Sequence, residues 1–259
     1  MITNYASEEL FKNFGNSTNY QGEYHMKRLF ILLAILTLAP NAWAGAIWTN
    51  YEMKINHKNV AKIKSLMENY FKTDAGESFP GLWIYNAVVA NGAQEATHNF
   101  ALVYKDEKQW EERRAAIADN KDSQRMMTQI NSLTELVSET VYEHVGGYGL
   151  PAEQTKQWMG VAANVKDEAR YLEIVGDIMS RTDPAASIDF WAVRAGGTPG
   201  VTHVVTIGVQ SRADYNANPE VKSALAEVGQ TAKDVRSIVG VNYADVVLIK
   251  GPLTSADMR

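Results

Sequence analysis

Residues 82–104 read LWIYNAVVANGAQEATHNFALVY, and residues 188–210 read IDFWAVRAGGTPGVTHVVTIGVQ. Both stretches begin with a run rich in aromatic and β-branched residues, which is typical of a β-strand. In each, a glycine-containing turn leads to a Thr-His pair and then to a second strand. The sequence therefore predicts two β-hairpins of the same design, well separated along the chain.

The similarity continues on both sides of the hairpins. The matched positions are Trp48 with Trp158, residues 71–74 with 180–183, Trp83 with Trp191, Thr97-His98 with Thr202-His203, Trp110 with Tyr215, and Tyr142 with Tyr243. No single match is strong, but their common order and similar spacing indicate an internal duplication.

Each copy predicts the order βαββαβ. In the first copy, strands are expected at 47–55, 82–90, 98–104 and 141–145, with helices at 57–72 and 107–140, the second one broken near residues 119–120. In the second copy, strands are expected at 156–165, 188–194, 203–210 and 245–249, with helices at 167–180 and 219–239. The predicted domains are an N-terminal extension with a signal peptide (1–44), a first ferredoxin-like repeat (45–147) and a second one (148–259). The glycine-rich residues 146–151 are expected to form a flexible joint.

A βαββαβ unit forms a four-stranded antiparallel sheet with both helices on one face. The other face stays apolar and exposed unless something covers it. The predicted fold class is therefore α+β, with tandem ferredoxin-like repeats that close face to face into an α+β barrel and keep their helices outside. The alternative is two ferredoxin-like domains whose sheets do not face each other.

This pattern resembles the dimeric α+β barrel superfamily, which includes antibiotic-biosynthesis-monooxygenase-like, NIPSNAP-like and stress-responsive barrel proteins. The resemblance rests on the hairpin tryptophans, the Thr-His pairs and the helix stripes, and it covers roughly residues 46–250. It includes no catalytic motif. It implies a barrel with a cavity, in a group where some members oxygenate aromatic or polyketide substrates without a cofactor. Others handle haem, isomerise lactones or only bind ligands.

The N-terminal part carries the layout of a secretory signal peptide. Met26-Lys27-Arg28 precedes an apolar run at 29–39, and Ala42-Trp43-Ala44 supplies a small-residue cleavage pattern. Cleavage after Ala44 would give a periplasmic or secreted protein that meets the membrane only during export. The alternative is an uncleaved anchor, and both Met1 and Met26 are possible starts.

Composition excludes several classes of function. The formal net charge is −5, which argues against a nucleic-acid binder because such a protein needs a basic surface. The chain has no cysteine, so disulfides, thiolate catalysis, cysteine-ligated zinc and iron–sulfur clusters are ruled out.

The histidines are the candidate catalytic residues, because imidazole titrates near neutral pH. His98 and His203 occupy matching positions and are expected to approach each other across the barrel axis. His144 follows Tyr142 as Asp245 follows Tyr243. The alternative is that each histidine bonds nearby backbone at a strand entrance. No diagnostic ligand spacing occurs, so no metal site and no cofactor are predicted.

A flat hydrophobic or aromatic ligand is the expected partner. The candidate ligand-binding residues are Trp83, Trp191, Tyr85, Tyr104, Arg194 and Asp245. The aromatic residues could equally be core, and Arg194 could be a solvated strand-end charge that binds nothing. Residues 111–114, Glu-Glu-Arg-Arg, are expected to be a solvated helix face.

Three hypotheses for function follow. The first is an exported small-molecule-binding barrel, either non-catalytic or a cofactor-independent oxygenase-like or isomerase-like enzyme. The second is a non-catalytic scaffold or interaction protein that self-associates. The third is haem or metal handling through the histidines. The sequence leaves open whether the protein is an enzyme.

Overall fold

The first repeat and the second repeat contain the same order of strands and main helices. A computed structural model describes residues 45–90, 95–182, 186–254 and 257. The first repeat contains β1 (Ile47–Ile55), α1 (Val60–Tyr70), α2 (Asp74–Glu77), β2 (Leu82–Ala90), β3 (His98–Tyr104), α3 (Glu107–Asp119), α4 (Lys121–Asn131) and β4 (Thr134–Gly149). The second contains β5 (Gln157–Val165), α5 (Glu168–Ser180), β6 (Ser187–Gly196), β7 (His203–Val209), α6 (Arg212–Ala217), α7 (Pro219–Thr231) and β8 (Arg236–Lys250). The predicted export segment, residues 1–44, lies outside the described residues.

The eight strands form one closed antiparallel barrel in the order β1-β3-β2-β8-β5-β7-β6-β4. The long strands β4 and β8 make the closure. β4 pairs with β1 of its own repeat and then with β6 of the other, and β8 pairs in the same way with β5 and β2. The predicted fold is confirmed, and the two sheets face each other because each repeat leaves one apolar sheet face uncovered.

The lengths of β4 and β8 correct the sequence prediction. The helix expected at 107–140 ends at Asn131, and the helix expected at 219–239 ends at Thr231. The expected break at 119–120 is confirmed, because the Asn120 side chain caps α4 by accepting a 2.9 Å hydrogen bond from the Ser123 amide. Valines at 235 and 239 fit a helical stripe, but Val235 lies in the turn after α7 and Val239 lies in β8. The pairing of β8 with distant strands ends the helix here, and local spacing cannot show that pairing.

Residues 146–149, expected to belong to a flexible joint between the repeats, are instead part of strand β4. Gly146 and Gly147 pair with Phe190 and Asp189 within the β4–β6 ladder. The strand ends at Gly149, whose φ of 78° suits glycine. The proposed boundary between residues 147 and 148 thus falls inside β4, a strand that both repeats share.

Helices cover the outer face of each half of the barrel. In the first repeat, α1 and α4 contribute buried residues such as Ile63, Met67 and Ile130 to a helix-side core. In the second repeat, α5 and α7 do the same with residues such as Ile178 and Val228. No helix in the described residues is both long and apolar enough to span a membrane.

The strand registers define which positions of the two repeats are equivalent. Trp48 pairs with Val103 and Trp158 with Gly208, so the two tryptophans correspond as expected. His98 pairs with Met53 and His203 with Ala163, which also confirms the match of the histidines.

Two other expected matches are wrong. Trp83 pairs with Leu102 and Ile188 with Ile207, so the counterpart of Trp83 is Ile188, not Trp191. Likewise Trp48 pairs with Tyr142 and Trp158 with Ala244, so Tyr142 corresponds to Ala244 and not to Tyr243. The two expected matches are off by three residues and by one residue, and a shift by an odd number of residues moves a side chain to the opposite sheet face because strand side chains alternate.

The first halves of β4 and β8 extend beyond the closed part of the barrel. Residues 134–139 pair with β1 alone, and residues 236–242 pair with β5 alone within the described chain. These two segments carry most of the exposed large apolar side chains, namely Leu136, Val137, Ile238, Val239 and Val241.

Candidate functional site

The two sheets enclose an interior cavity of about 340 Å³. Its aromatic lining consists of Trp48, Tyr142, Trp158 and Trp191. Its polar lining includes Asn50, Glu52, Asn86, Asn99, Thr140 and Asp189. A volume of this size is typical of a small-molecule site, and its position between the repeats is where the uncovered sheet faces meet.

One wall of the cavity is aromatic. The rings of Trp48 and Tyr142 stack with their centroids 4.3 Å apart, and Trp191 meets Trp48 edge-on at 5.3 Å. Burial raises the pKa of Tyr142 to about 12, so its hydroxyl keeps its proton at neutral pH. This wall offers flat apolar surface together with hydrogen-bond donors.

A row of polar side chains lies on the first repeat. Asn99 on β3 pairs with Glu52 on β1 and with Asn86 on β2, so the three are neighbours across adjacent strands. The Ser138 hydroxyl donates a 2.6 Å hydrogen bond to the Glu52 carboxylate. By strand register, the equivalent positions of the second repeat are Ala162, Val204 and Trp191. At these three positions the cavity lining is therefore polar on the first repeat and apolar on the second.

Five lining residues carry a buried polar atom that has no hydrogen-bond partner among the described residues. These atoms are the indole Nε1 of Trp48 and of Trp158 and the amide oxygens of Asn50, Asn86 and Asn99. A buried polar atom without a partner costs about 1–3 kcal/mol. A bound molecule with matching donors and acceptors would recover that cost.

A carboxylate is also built into the wall. Asp189 is 2 % exposed and lines the cavity. His144 Nε2 lies 3.2 Å from one of its oxygens, and the Ser187 hydroxyl donates to the other at 3.0 Å. The His144 ring also meets Trp191 edge-on, with centroids 4.9 Å apart. Of the three candidate histidines, His144 is the one placed next to the interior cavity.

The structure does not bring His98 and His203 together across the axis. Asn99, Ala101 and Val103 line the interior, so the alternating His98 points to the helix side of its sheet. His203 does the same on the second sheet, where Tyr171 of α5 lies near its ring.

Each of these two histidines is held locally. Their Nδ1 atoms lie 2.9 Å and 3.0 Å from the hydroxyls of Thr97 and Thr202. Burial lowers the pKa of both imidazoles, and for His203 the nearby Glu168 opposes that shift. The lowered pKa favours the neutral imidazole in both residues. His98 lies on the helix side of the first sheet and His203 on the helix side of the second, so they cannot act together. Among the described residues, no group of three or more His, Cys, Asp or Glu side chains could hold a metal ion.

The candidate ligand-binding residues are spread over several environments. Trp191 lines the interior cavity. Tyr85 is fully buried on the helix side, stacked on Phe100 with ring centroids 4.8 Å apart, and borders neither main cavity. Arg194 is exposed and forms an ion pair with Glu143.

Asp245 is also away from the interior. It is exposed on β8 and accepts a 2.7 Å hydrogen bond from the Gln157 side chain.

Trp83 and Tyr104 line a second cavity of about 460 Å³, between the outer face of the first sheet and helices α3 and α4. Arg113 reaches into it from α3 and is 7 % exposed. Its guanidinium donates to the Tyr70 hydroxyl, which lies 3.1 Å from the hydroxyl of Ser123. The prediction that residues 111–114 form a solvated face is therefore wrong for Arg113, because the sheet below α3 leaves a space that its side chain enters.

Sequence reasoning missed the asparagines, Tyr142, Asp189 and Arg113. A usable signal was present in β3, where Asn99 interrupts the otherwise apolar set that alternates with His98. Which side chains of β4 face the interior could not be read from the sequence, because the predicted helix covers the first half of this strand. The expected match of Tyr142 with Tyr243 also concealed its position, since its true counterpart is Ala244. Arg113 gave no sequence signal, since a charge among charges looks solvated.

Comparison with known proteins finds similarity in structure but not in sequence family. No family model matches the chain, and no curated protein matches it. A candidate monooxygenase of Fusobacterium nucleatum subsp. nucleatum ATCC 25586 aligns with a TM-score of 0.57 at 18% identity, over 82% of this chain and 98% of that one. A candidate monooxygenase of Lactobacillus acidophilus NCFM aligns with a TM-score of 0.54 at 10% identity, over 81% and 99%. The chain therefore shares the ferredoxin-like α+β barrel fold of these two structures, with both halves of the barrel in one chain.

Proposed function

We propose that the protein binds a small, flat, amphipathic molecule in the interior cavity. The observation that carries this proposal is a set of five residues lining a space of about 340 Å³, each with a buried polar atom that has no hydrogen-bond partner in the described part of the chain. Buried polar groups in folded proteins are normally satisfied. A site that leaves several unsatisfied around an open volume is suited to a ligand that satisfies them.

The lining specifies the chemistry of the ligand. The Trp48 and Trp158 indoles require acceptors, and the amide oxygens on the first repeat require donors. The Trp48–Tyr142–Trp191 wall favours a planar apolar face. An aromatic molecule that carries both hydroxyl or amino donors and carbonyl acceptors meets these requirements.

Filling the cavity tests the proposal. Ala101 is buried and lines the interior, so Ala101→Trp occupies ligand volume. Ala116 on α3 is exposed, and Ala116→Trp serves as the matched control. Native mass spectrometry of the purified proteins should show a co-purifying small molecule in the wild type and in Ala116→Trp. The molecule should be absent from Ala101→Trp. Retention by a folded Ala101→Trp variant would overturn the proposal.

Proton-transfer catalysis at the same site is a second candidate function. It is favoured by the buried Asp189 carboxylate, which lines the cavity and is held by His144 and Ser187. In this hypothesis, Asp189 takes a proton from the bound molecule and returns it at another atom, as an isomerase would, while His144 positions the carboxylate. An oxygenase-like reaction would begin with the same proton abstraction.

The molecule found by mass spectrometry is the substrate for the test of catalysis. Its conversion should fall by roughly 100-fold or more in Asp189→Asn, since an amide cannot accept the proton. Asp245→Asn, an exposed position on β8, is the control and should keep the wild-type rate. Unchanged conversion by Asp189→Asn would remove the carboxylate from the mechanism.

We also propose that the protein is exported. The proposal is supported by the basic, apolar and small-residue pattern of residues 26–44. Fractionation of the producing cell, with the N-terminus of the protein identified by mass spectrometry, should give a periplasmic or secreted form that begins at Gly45. A full-length cytoplasmic form would contradict export.

Self-association is the alternative that the exposed strand segments favour. Leu136 and Val137 on β4, and Ile238 and Val239 on β8, are exposed at strand edges that pair on one side only in the described chain. Light scattering decides this point, because a monodisperse monomer would leave the scaffold hypothesis without support.

A further inference from the structure

Helix α3 is unusual because its one buried residue among those described is an arginine. Arg113 projects from α3 over the outer face of the first sheet, into the cavity of about 460 Å³. Its guanidinium donates to Tyr70 and lies 5.2 Å from the centre of the Phe79 ring, while its Nε is buried and has no hydrogen-bond partner among the described residues.

Arg113 forms no ion pair with a carboxylate within the described part of the chain. The charged residues that line the cavity are Arg113 and Arg114, and no aspartate or glutamate lines it. Burial, together with the Glu139 carboxylate to which the Tyr51 hydroxyl donates a hydrogen bond, raises the pKa of Tyr51 to about 12. Burial also raises the pKa of Tyr104, so these two phenols stay neutral. The cavity lining therefore carries two arginines among aromatic and aliphatic walls, while the Glu139 carboxylate is engaged by Tyr51.

An unbalanced buried guanidinium is costly. Arginine does not lose its proton at physiological pH, so it cannot escape the cost by becoming neutral. The effective penalty for burying such an ion is several kcal/mol unless an opposite charge and hydrogen bonds compensate. A neutral hydroxyl and an aromatic ring compensate only in part, which leaves Arg113 suited to an external anion.

The second repeat shows that the fold itself does not need this charge. Its helix-side layer is filled by residues such as Ile174, Ile178 and Val228, and a cavity of only about 20 Å³ lies at its margin. The helix α6 that follows β7 spans six residues, against thirteen in α3. The second repeat does place the half-buried Arg236 near the Tyr171 ring, but the longer α3 is the element that adds a buried arginine and a large cavity to the first repeat.

We propose that the helix-side cavity of the first repeat binds a hydrophobic carboxylate, with Arg113 as the counter-ion. A single planar guanidinium matches a carboxylate, which it can bind through two parallel hydrogen bonds. The apolar part of the ligand packs against Trp83, Leu102, Met126 and Ile130, which line the same cavity. This site is separate from the interior cavity, because the first sheet lies between them.

A matched pair of probes tests the charge requirement. Octanoate and octan-1-ol differ mainly in the carboxylate, and isothermal titration calorimetry gives the affinity of each. The wild-type protein should bind octanoate about tenfold or more tightly than octan-1-ol, since a hydrogen bond to a charged group contributes about 1.5–3 kcal/mol. Equal affinities for the two probes would overturn the proposal.

Four variants test whether the preference for octanoate over octan-1-ol depends on Arg113 and on the helix-side cavity. Arg113→Met should abolish the preference while octan-1-ol still binds, and Arg125→Met, an exposed arginine on α4, should keep it. Met126→Trp should block both probes by filling the cavity. Ala101→Trp should leave octanoate binding unchanged, which separates this site from the proposed interior site. A preference retained by Arg113→Met would overturn the assignment, and if that variant fails to fold, the Met126→Trp result and the wild-type comparison decide the question.

Discussion

The two repeats have the same order of strands and main helices and the same antiparallel pairing, yet they differ in what lies under their helices. In the first repeat, a cavity of about 460 Å³ contains the buried Arg113. In the second, the equivalent layer is packed, with a cavity of about 20 Å³ at its margin. The comparison teaches that barrel closure depends on backbone pairing, whereas each helix-side layer is free to be either a core or a site.

The same asymmetry is visible inside the barrel. Where the first repeat places Asn99 and Asn86, the second places Val204 and Trp191. If the repeats were identical at these two pairs of positions, both sides of the cavity would be polar there or both would be apolar. The divergence of the repeats creates an amphipathic cavity, which is the property that the proposed ligand requires.

The largest expected effect is on the free energy of unfolding, when an equivalent strand side chain is shortened under the helices of each repeat. Ile207 and Leu102 occupy equivalent strand positions, and Leu102 already borders a large cavity. Ile207→Ala should lower the free energy of unfolding by about 3–4 kcal/mol, and Leu102→Ala by only about 1–2 kcal/mol, because fewer contacts are lost beside an existing void. Urea unfolding followed by circular dichroism measures both. Equal losses would show that the first layer is packed as tightly as the second.

A smaller loss of stability is expected when an interior position of the second repeat is given the residue that the first repeat has there. Gly208 corresponds to Val103, but a Cβ at Gly208 would lie 2.7 Å from the Trp158 ring and would overlap the Thr155 hydroxyl. Gly208→Val should therefore destabilise the fold by about 1–3 kcal/mol, because the added side chain overlaps both neighbours and the buried Thr155 must shift to relieve the overlap. Thermal unfolding checks the loss. Val103→Ala, which removes volume without a clash, is the comparison variant.

The smallest expected effect is a dependence of stability on pH. Burial lowers the pKa of His98 and His203 in the folded protein, so protonation favours the unfolded chain. Their contribution to stability is complete above the unfolded pKa near 6.5 and is lost as pH falls through the lowered folded value. His98→Gln should flatten this dependence more than His203→Gln, since Glu168 offsets part of the cost at His203. Urea midpoints measured between pH 7.5 and 5 provide the test, and parallel curves for wild type and variants would contradict it.

The repeat, the strand phases of β1 and β3 and the covering of one sheet by the other were all predictable. These features follow from local alternation and from the need to bury an apolar face, which a sequence displays directly. The extents of β4 and β8 were not predictable, because their valines satisfy helical and strand spacing alike and only distant partners select the strand. Trp83 was expected in the same site as Trp191, but it lies on the other face of the sheet.

By itself, the sequence excluded cysteine chemistry, indicated the duplication and favoured the pairing of two sheets into a barrel over two separate domains. Only the tertiary structure decided which side chains meet in a cavity. It placed Asp189 beside His144, separated His98 from His203, and buried Arg113 without a carboxylate among the described residues. The physical reason is that a side chain's neighbours across a barrel come from pairing registers and helix lengths, and these are fixed by contacts between residues far apart in the chain.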